Sequence, residues 1–146
     1  MTKNQTAPRV LSILAALCLL LTSLTACEGG VTREEAKTAM DSLLSALDNE
    51  SYAEAAALYH PDAAMTEDLL AAFAEQVKTK VGIDLTEGAV VEKITGMSAS
   101  YYDSTVDGSR YALTAKIKAG DKTADLTVEV IRNDRGYGIF KVECNP

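Results

Sequence analysis

The side chains of this 146-residue sequence that could move a proton or line a ligand pocket are Tyr52, Tyr59, His60, Tyr101, Tyr102, Asp103 and Tyr111. A carboxylate or tyrosine inside a fold can do such work because desolvation lifts a carboxyl towards neutral pH. Their spacing singles out no acid–base pair. Tyr101 and Tyr102 are neighbours on an expected strand, so they point to opposite faces, and both line one pocket only if the strand bulges. Packing in a core accounts for all these tyrosines. His60, the only histidine, stands in His60-Pro61-Asp62. With Asp62 it offers two metal ligands and no third, too few for zinc, so a capping or loop role is expected. There is no G-x-S-x-G turn for a nucleophile and no Gly-rich phosphate loop. The ligand-pocket candidates are therefore Tyr52, Tyr59, His60, Tyr101 and Tyr111, with no catalytic residue, metal or cofactor expected.

The three cysteines are Cys18, Cys27 and Cys144. Lys3 and Arg9 precede an apolar block of 15 residues, Val10 to Leu24, and small residues follow up to Cys27. That is the order of a secretory signal peptide. The block falls short of the ~20 residues a helix needs to cross a bilayer, so residues 1–26 are expected to be removed. Leu24-Thr25-Ala26-Cys27 resembles the bacterial lipobox, a Leu, two small residues and a Cys. The resemblance implies that the Cys27 thiol carries diacylglycerol with palmitate-type chains and that Cys27 becomes the first mature residue. An ordinary signal cleaved near Ala26 is the other reading. One acyl chain at ~0.8 kcal/mol per buried CH2 holds a protein only marginally, and a diacylglyceryl group supplies two. Position 28 is Glu, not the Asp that in this family often retains lipoproteins at an inner membrane. The outer leaflet of a single-membrane cell and an outer membrane are both open, on the extracytoplasmic side in either case.

Processing at Cys27 leaves Cys144 as the one free thiol, so neither an intramolecular disulfide nor a cysteine zinc site can form. Cys144 alternates with Phe140 and Val142, which points it inward as an inert side chain; a reactive or intermolecular thiol is the alternative. Removing Lys3 and Arg9 leaves 12 basic and 21 acidic residues and a net charge of −9. Such a chain is no nucleic-acid binder and does not adhere by charge to anionic lipid. Eleven acids fall in residues 28–75 against Arg33 and Lys37. An acidic face is expected, either as a solvated surface or as a docking surface for an envelope partner.

These groups must be positioned by elements that the sequence marks clearly. Residues 27–30 form a lipidated cysteine and short tether, and residues 31–146 the folded domain. Thr32-Arg33-Glu34-Glu35 is a capping box, followed by the helical stripe Ala36, Met40, Leu43, Leu44 and Leu47 to about Asp48. Ser51-Tyr52-Ala53-Glu54 is a second such box, opening a short helix that His60-Pro61-Asp62 stops. A third helix starts at Thr66, with Glu67 and Asp68 at its positive end and Leu69, Leu70, Phe73, Val77 and Val81 facing inward, and Gly82 closes it. From Gly88 the period becomes two. Strands are expected over 90–103, 109–119, 122–132 and 136–144, joined by Asp107-Gly108, Gly120-Asp121 and Asn133-Asp134-Arg135-Gly136. The fold class is α+β: about three helices packed on a curved, cone-like, four-stranded antiparallel sheet.

That order, with Ala46-Leu47-Asp48-Asn49-Glu50-Ser51-Tyr52 running through the Ala-rich turn to Tyr59-His60-Pro61-Asp62, resembles the nuclear-transport-factor-2-like fold of many small secreted bacterial lipoproteins. The resemblance implies a cone whose open end holds a small ligand or is plugged by side chains. Fold alone does not choose a function. A lipid-anchored, non-catalytic binding or interaction module, meeting an envelope protein or small ligand, is the expectation. A cone enzyme of isomerase or dehydratase type and a purely structural accessory domain are the alternatives.

Overall fold

The computed structural model describes residues 29–100 and 107–146. The expected signal peptide (residues 1–26), Cys27, Tyr101, Tyr102 and Asp103 lie outside them. Helix α1 (Arg33–Asp48) begins where Thr32 and Glu35 cap each other: Glu35 N–H donates to Thr32 Oγ1 at 3.3 Å and Thr32 N–H to Glu35 Oε2 at 2.9 Å. Its stripe Ala36, Met40, Leu43, Leu44 and Leu47 is buried, as the spacing requires.

The second box does not form. Ser51 makes no side-chain cap bond ahead of α2 (Tyr52–Ala57). Its N–H is already committed to Ala46 O at 2.8 Å, which leaves Glu54 no donor to accept from, and its backbone stands at ψ 67° where Thr32 is extended at 162°. Beyond α2, Tyr59 bridges to Ile139: His60 N–H donates to Ile139 O at 2.8 Å and Ile139 N–H to Leu58 O at 2.9 Å. Pro61–Ala63 follows as a 3-10 turn.

Helix α3 (Glu67–Lys80) is capped by Thr66, whose Oγ1 accepts from Leu69 N at 3.3 Å. Leu70, Ala74 and Val77 are buried, but Leu69 is 54% exposed, contrary to expectation. At ~100° per residue Leu69 stands about 40° beyond Phe73, at the outer edge of the arc shared by Leu70, Phe73, Val77 and Val81. Gly82, at φ +84°, closes the helix through its N–H to Val77 O, a conformation that a side chain would strain.

Strands β1 (Val90–Ser100), β2 (Ser109–Ala119), β3 (Lys122–Asn133) and β4 (Gly136–Asn145) pair antiparallel in the order β1-β2-β3-β4, an open sheet. Alternation places Leu113, Ala115, Ile117, Leu126, Val128 and Val130 in the core and Thr114, Lys116, Asp125 and Thr127 on the other face, where the threonine hydroxyls meet at 2.9 Å. α1 is the helix that crosses the sheet; it begins beside Arg132 of β3 and ends beside Gly88, just before β1. α3 packs on α2. The observed class is α+β, three helices preceding a four-stranded antiparallel sheet. Among the described residues no helix is long and apolar enough to cross a membrane.

Candidate functional site

Of the ligand-pocket candidates, Tyr59 and Tyr111 are core residues and Tyr101 lies outside the described residues. Tyr111 spends its hydroxyl on Met97 Sδ at 3.3 Å. Burial pushes the Tyr59 phenol up to about 12, so it stays neutral at physiological pH. Tyr52 is half-buried and lines a shallow depression with Glu50, Lys78, Asp84 and Thr86.

His60 is 1% exposed, and both ring nitrogens are used. Nδ1 accepts the Asp62 N–H at 3.1 Å, and Nε2 lies 2.9 Å from Asn133 Oδ1. These partners assign the neutral Nε2–H tautomer. No lone pair remains for a metal or a substrate. Around it, Arg135 N–H also donates to Asn133 Oδ1 at 2.9 Å, Arg135 Nε reaches Asp62 Oδ2 at 2.7 Å, and Asn133 Nδ2 donates to Asp107 O at 3.1 Å. The hydrogen bond from Arg135 holds the Asp62 carboxyl below its ordinary value. Sequence reasoning read Asn133 and Arg135 only as turn residues. Gly138 was also missed, although a Cβ there would stand 2.5 Å from His60 N and 2.7 Å from Tyr59 C. The one local signal was the density of Gly in Gly136-Tyr137-Gly138.

A second cluster ties the start of the domain to the sheet. Arg132 Nη2 meets Glu35 Oε1 at 2.6 Å, and Arg132 Nη1 lies 3.3 Å from each of the Gly29 and Gly30 carbonyls. The guanidinium stacks 4.8 Å over the Tyr137 ring, and Tyr137 OH donates to Glu35 O at 3.3 Å. Burial works to raise the Glu35 carboxyl, but the Arg132 and Thr32 hydrogen bonds outweigh it and hold the group below its ordinary value.

No protein-family model matches the chain, and no curated protein matches it. The geometry must speak for itself.

A groove of about 650 Å³ lies between α1 and the start of β1, lined among others by Lys37, Asp41, Leu44, Asp48, Val90 and Ile94. Lys37 Nζ pairs with Asp41 Oδ2 at 2.6 Å, and Asp48 Oδ1 accepts the Gly88 N–H at 2.6 Å. Glu92 and Lys93, also on its wall, have no ion-pair partner among the described residues, and Val90 is 58% exposed. None of the ligand-pocket candidates among the described residues lines it. Nor does it hold a nucleophile beside a base, and no group of three metal-ligating side chains occurs among the described residues. Cys144 is half-buried against the core, its thiol pushed up to about 11 by burial and by the Asp125 carboxylate.

Proposed function

We propose that this protein is a lipid-anchored envelope module, non-catalytic, which meets a partner protein through the groove between α1 and β1. The observation that carries this reading is a division of labour. Tyr59, His60 and Tyr111 are spent on the fold, whereas the groove is open, with exposed Val90 and the unpaired charges of Glu92 and Lys93 on its rim. An apolar centre with a charged rim suits a protein contact. β1 is an edge strand, but its register shifts at Glu92 and again at Thr95. Such bulges discourage pairing with a foreign strand, so the contact runs through side chains.

The anchor is the diacylglyceryl group on Cys27, supported by Leu24-Thr25-Ala26-Cys27 after a signal-like segment, and it holds the domain on the extracytoplasmic face of the cell membrane. Membership of the nuclear-transport-factor-2-like class is supported by three helices followed by a four-stranded antiparallel meander.

A photo-crosslinking residue placed at Val90 in cells tests the groove, with one at Lys141 on the opposite edge strand as control. A discrete protein adduct at Val90 and none at Lys141 is expected. No adduct at Val90, or the same adduct at both positions, contradicts the reading.

A further inference from the structure

The two ends of the sheet are chemically different, and the start of the domain is fastened to one of them. Val31 N–H donates to Ser109 Oγ at 2.8 Å, and the Gly29 and Gly30 carbonyls each lie 3.3 Å from Arg132 Nη1. Ser109 pairs with Arg132 at one end of β2 and β3, while Ala119 pairs with Lys122 at the other. The same end as Gly29 carries the N-terminus of α1, the β3–β4 turn at Asp134 and Arg135, and the 3-10 turn, which is joined to it by Arg135 and Asp62. The opposite end carries the β2–β3 turn at Gly120 and Asp121, together with Asp48, Gly88 and Val90 at the mouth of the groove.

Only Glu28 separates Gly29 from Cys27. Two extended residues reach at most ~7 Å. The headgroup layer of one leaflet is itself ~5–7 Å thick, the difference between a bilayer of ~40–45 Å and its ~30 Å hydrocarbon core. If Cys27 sits at the hydrocarbon boundary, no slack remains to lift the domain clear of the lipid or to let it swing.

From this tether, and resting on the reading of Cys27 as the lipidated residue, we infer that the Gly29–Arg132 end of the domain is seated in the headgroup layer of the anchoring leaflet, with the β2–β3 turn and the groove mouth pointing away. The cations of that end are paired, Arg132 with Glu35 and Arg135 with Asp62 and Asp134, so the end keeps a small acidic excess that favours no adhesion by charge and leaves the tether to set the seat. Tyr137, 41% exposed there, has the amphipathic ring that favours the membrane interface. An 11-residue strand such as β2 spans ~35 Å, and that length carries the groove mouth well beyond the lipid.

The test uses the full chain, processed in cells and reconstituted into phosphatidylethanolamine–phosphatidylglycerol vesicles that contain a headgroup-nitroxide lipid. In a Cys144→Ser background a bimane probe is placed by Asp134→Cys or, separately, by Asp121→Cys; Arg33→Cys and Lys122→Cys repeat the pair should a turn substitution disturb folding. The expected result is loss of most of the emission at 134 and 33 and little at 121 and 122. Equal quenching at both ends, or stronger quenching at 121 and 122, overturns the orientation while vesicle flotation of the same sample shows the anchor intact. Failure to float, or flotation that survives Cys27→Ala, overturns the anchor reading and the orientation with it.

Discussion

His60 Nε2 and Asn133 Oδ1 lie 2.9 Å apart across 73 positions of sequence. This bond joins the end of α2 to the β3–β4 turn, and it converts the one histidine from a candidate ligand into a structural clasp. Asn133 Oδ1 serves two donors, His60 and the Arg135 backbone.

Asn133→Ala leaves the buried His60 Nε2–H without its acceptor, which costs about 1–3 kcal/mol, while the exposed Arg135 N–H turns to water. Urea unfolding is expected to show a lower midpoint with an unchanged slope. A midpoint equal to the wild type's shows that the clasp contributes nothing.

Gly138→Ala forces a methyl against backbone atoms of Tyr59 and His60, at 2.5 Å from His60 N. Backbone cannot swing aside as a side chain can, so a loss of about 1–3 kcal/mol is expected. Gly96→Ala, whose Cβ would meet Thr114 Cβ at an ordinary 3.5 Å, serves as the control and should change stability by less than about 0.5 kcal/mol. Equal effects at the two glycines would remove close approach as the reason for Gly138.

Asp84 ties the end of α3 to the loop before β1. The Lys78 ammonium at 2.7 Å and the Thr86 hydroxyl and N–H lower its carboxyl to about 2. A lowered folded pKa gives stability that is present above the unfolded value of ~3.9 and lost as pH falls towards 2. Asp84→Asn should therefore destabilise by on the order of 1–2 kcal/mol at pH 7, after discount for the exposed Lys78, and by much less near pH 2. A difference that persists undiminished at pH 2 would exclude the ionised pair as its source.

The Cys144 thiol, at about 11 against an ordinary 9.0, holds roughly a hundredfold less thiolate at neutral pH than an unperturbed cysteine. Labelling by a disulfide reagent should be slower than in urea by about tenfold, since the more basic thiolate regains part of the loss as nucleophilicity, and slower still where packing limits access. Equal rates in folded and unfolded protein would place Cys144 in solvent.

Much of the fold was legible because its signals are local. The period change near Gly88 and the turn residues at 107–108, 120–121 and 133–136 mark the strands with ends near those observed, since alternation and turn chemistry act over a few residues. The capping boxes teach the limit. Thr32-x-x-Glu35 and Ser51-x-x-Glu54 are the same pattern, yet only the first closes, because the Ser51 N–H is taken by the Ala46 carbonyl and its backbone is not extended as that of Thr32 is. Leu69 was drawn into the buried stripe because it stands four residues before Phe73, yet that position is the outer edge of the arc, about 40° beyond Phe73, and is exposed. The capping half of the His60 clasp was legible in His60-Pro61-Asp62, but its bond to Asn133 left no local trace, since the two residues stand 73 positions apart. The α1–β1 groove was invisible for the same reason: Asp48 and Gly88 meet only once the chain has folded.

The account rests most heavily on Cys27, and mass spectrometry of the mature N-terminal peptide from purified membranes tests it most directly. The prediction is a peptide that begins at Cys27 and carries a diacylglyceryl group, lost from the membrane fraction in Cys27→Ala. A mature chain that begins elsewhere, or an unmodified Cys27 in a protein that still stays with the membrane, would contradict it.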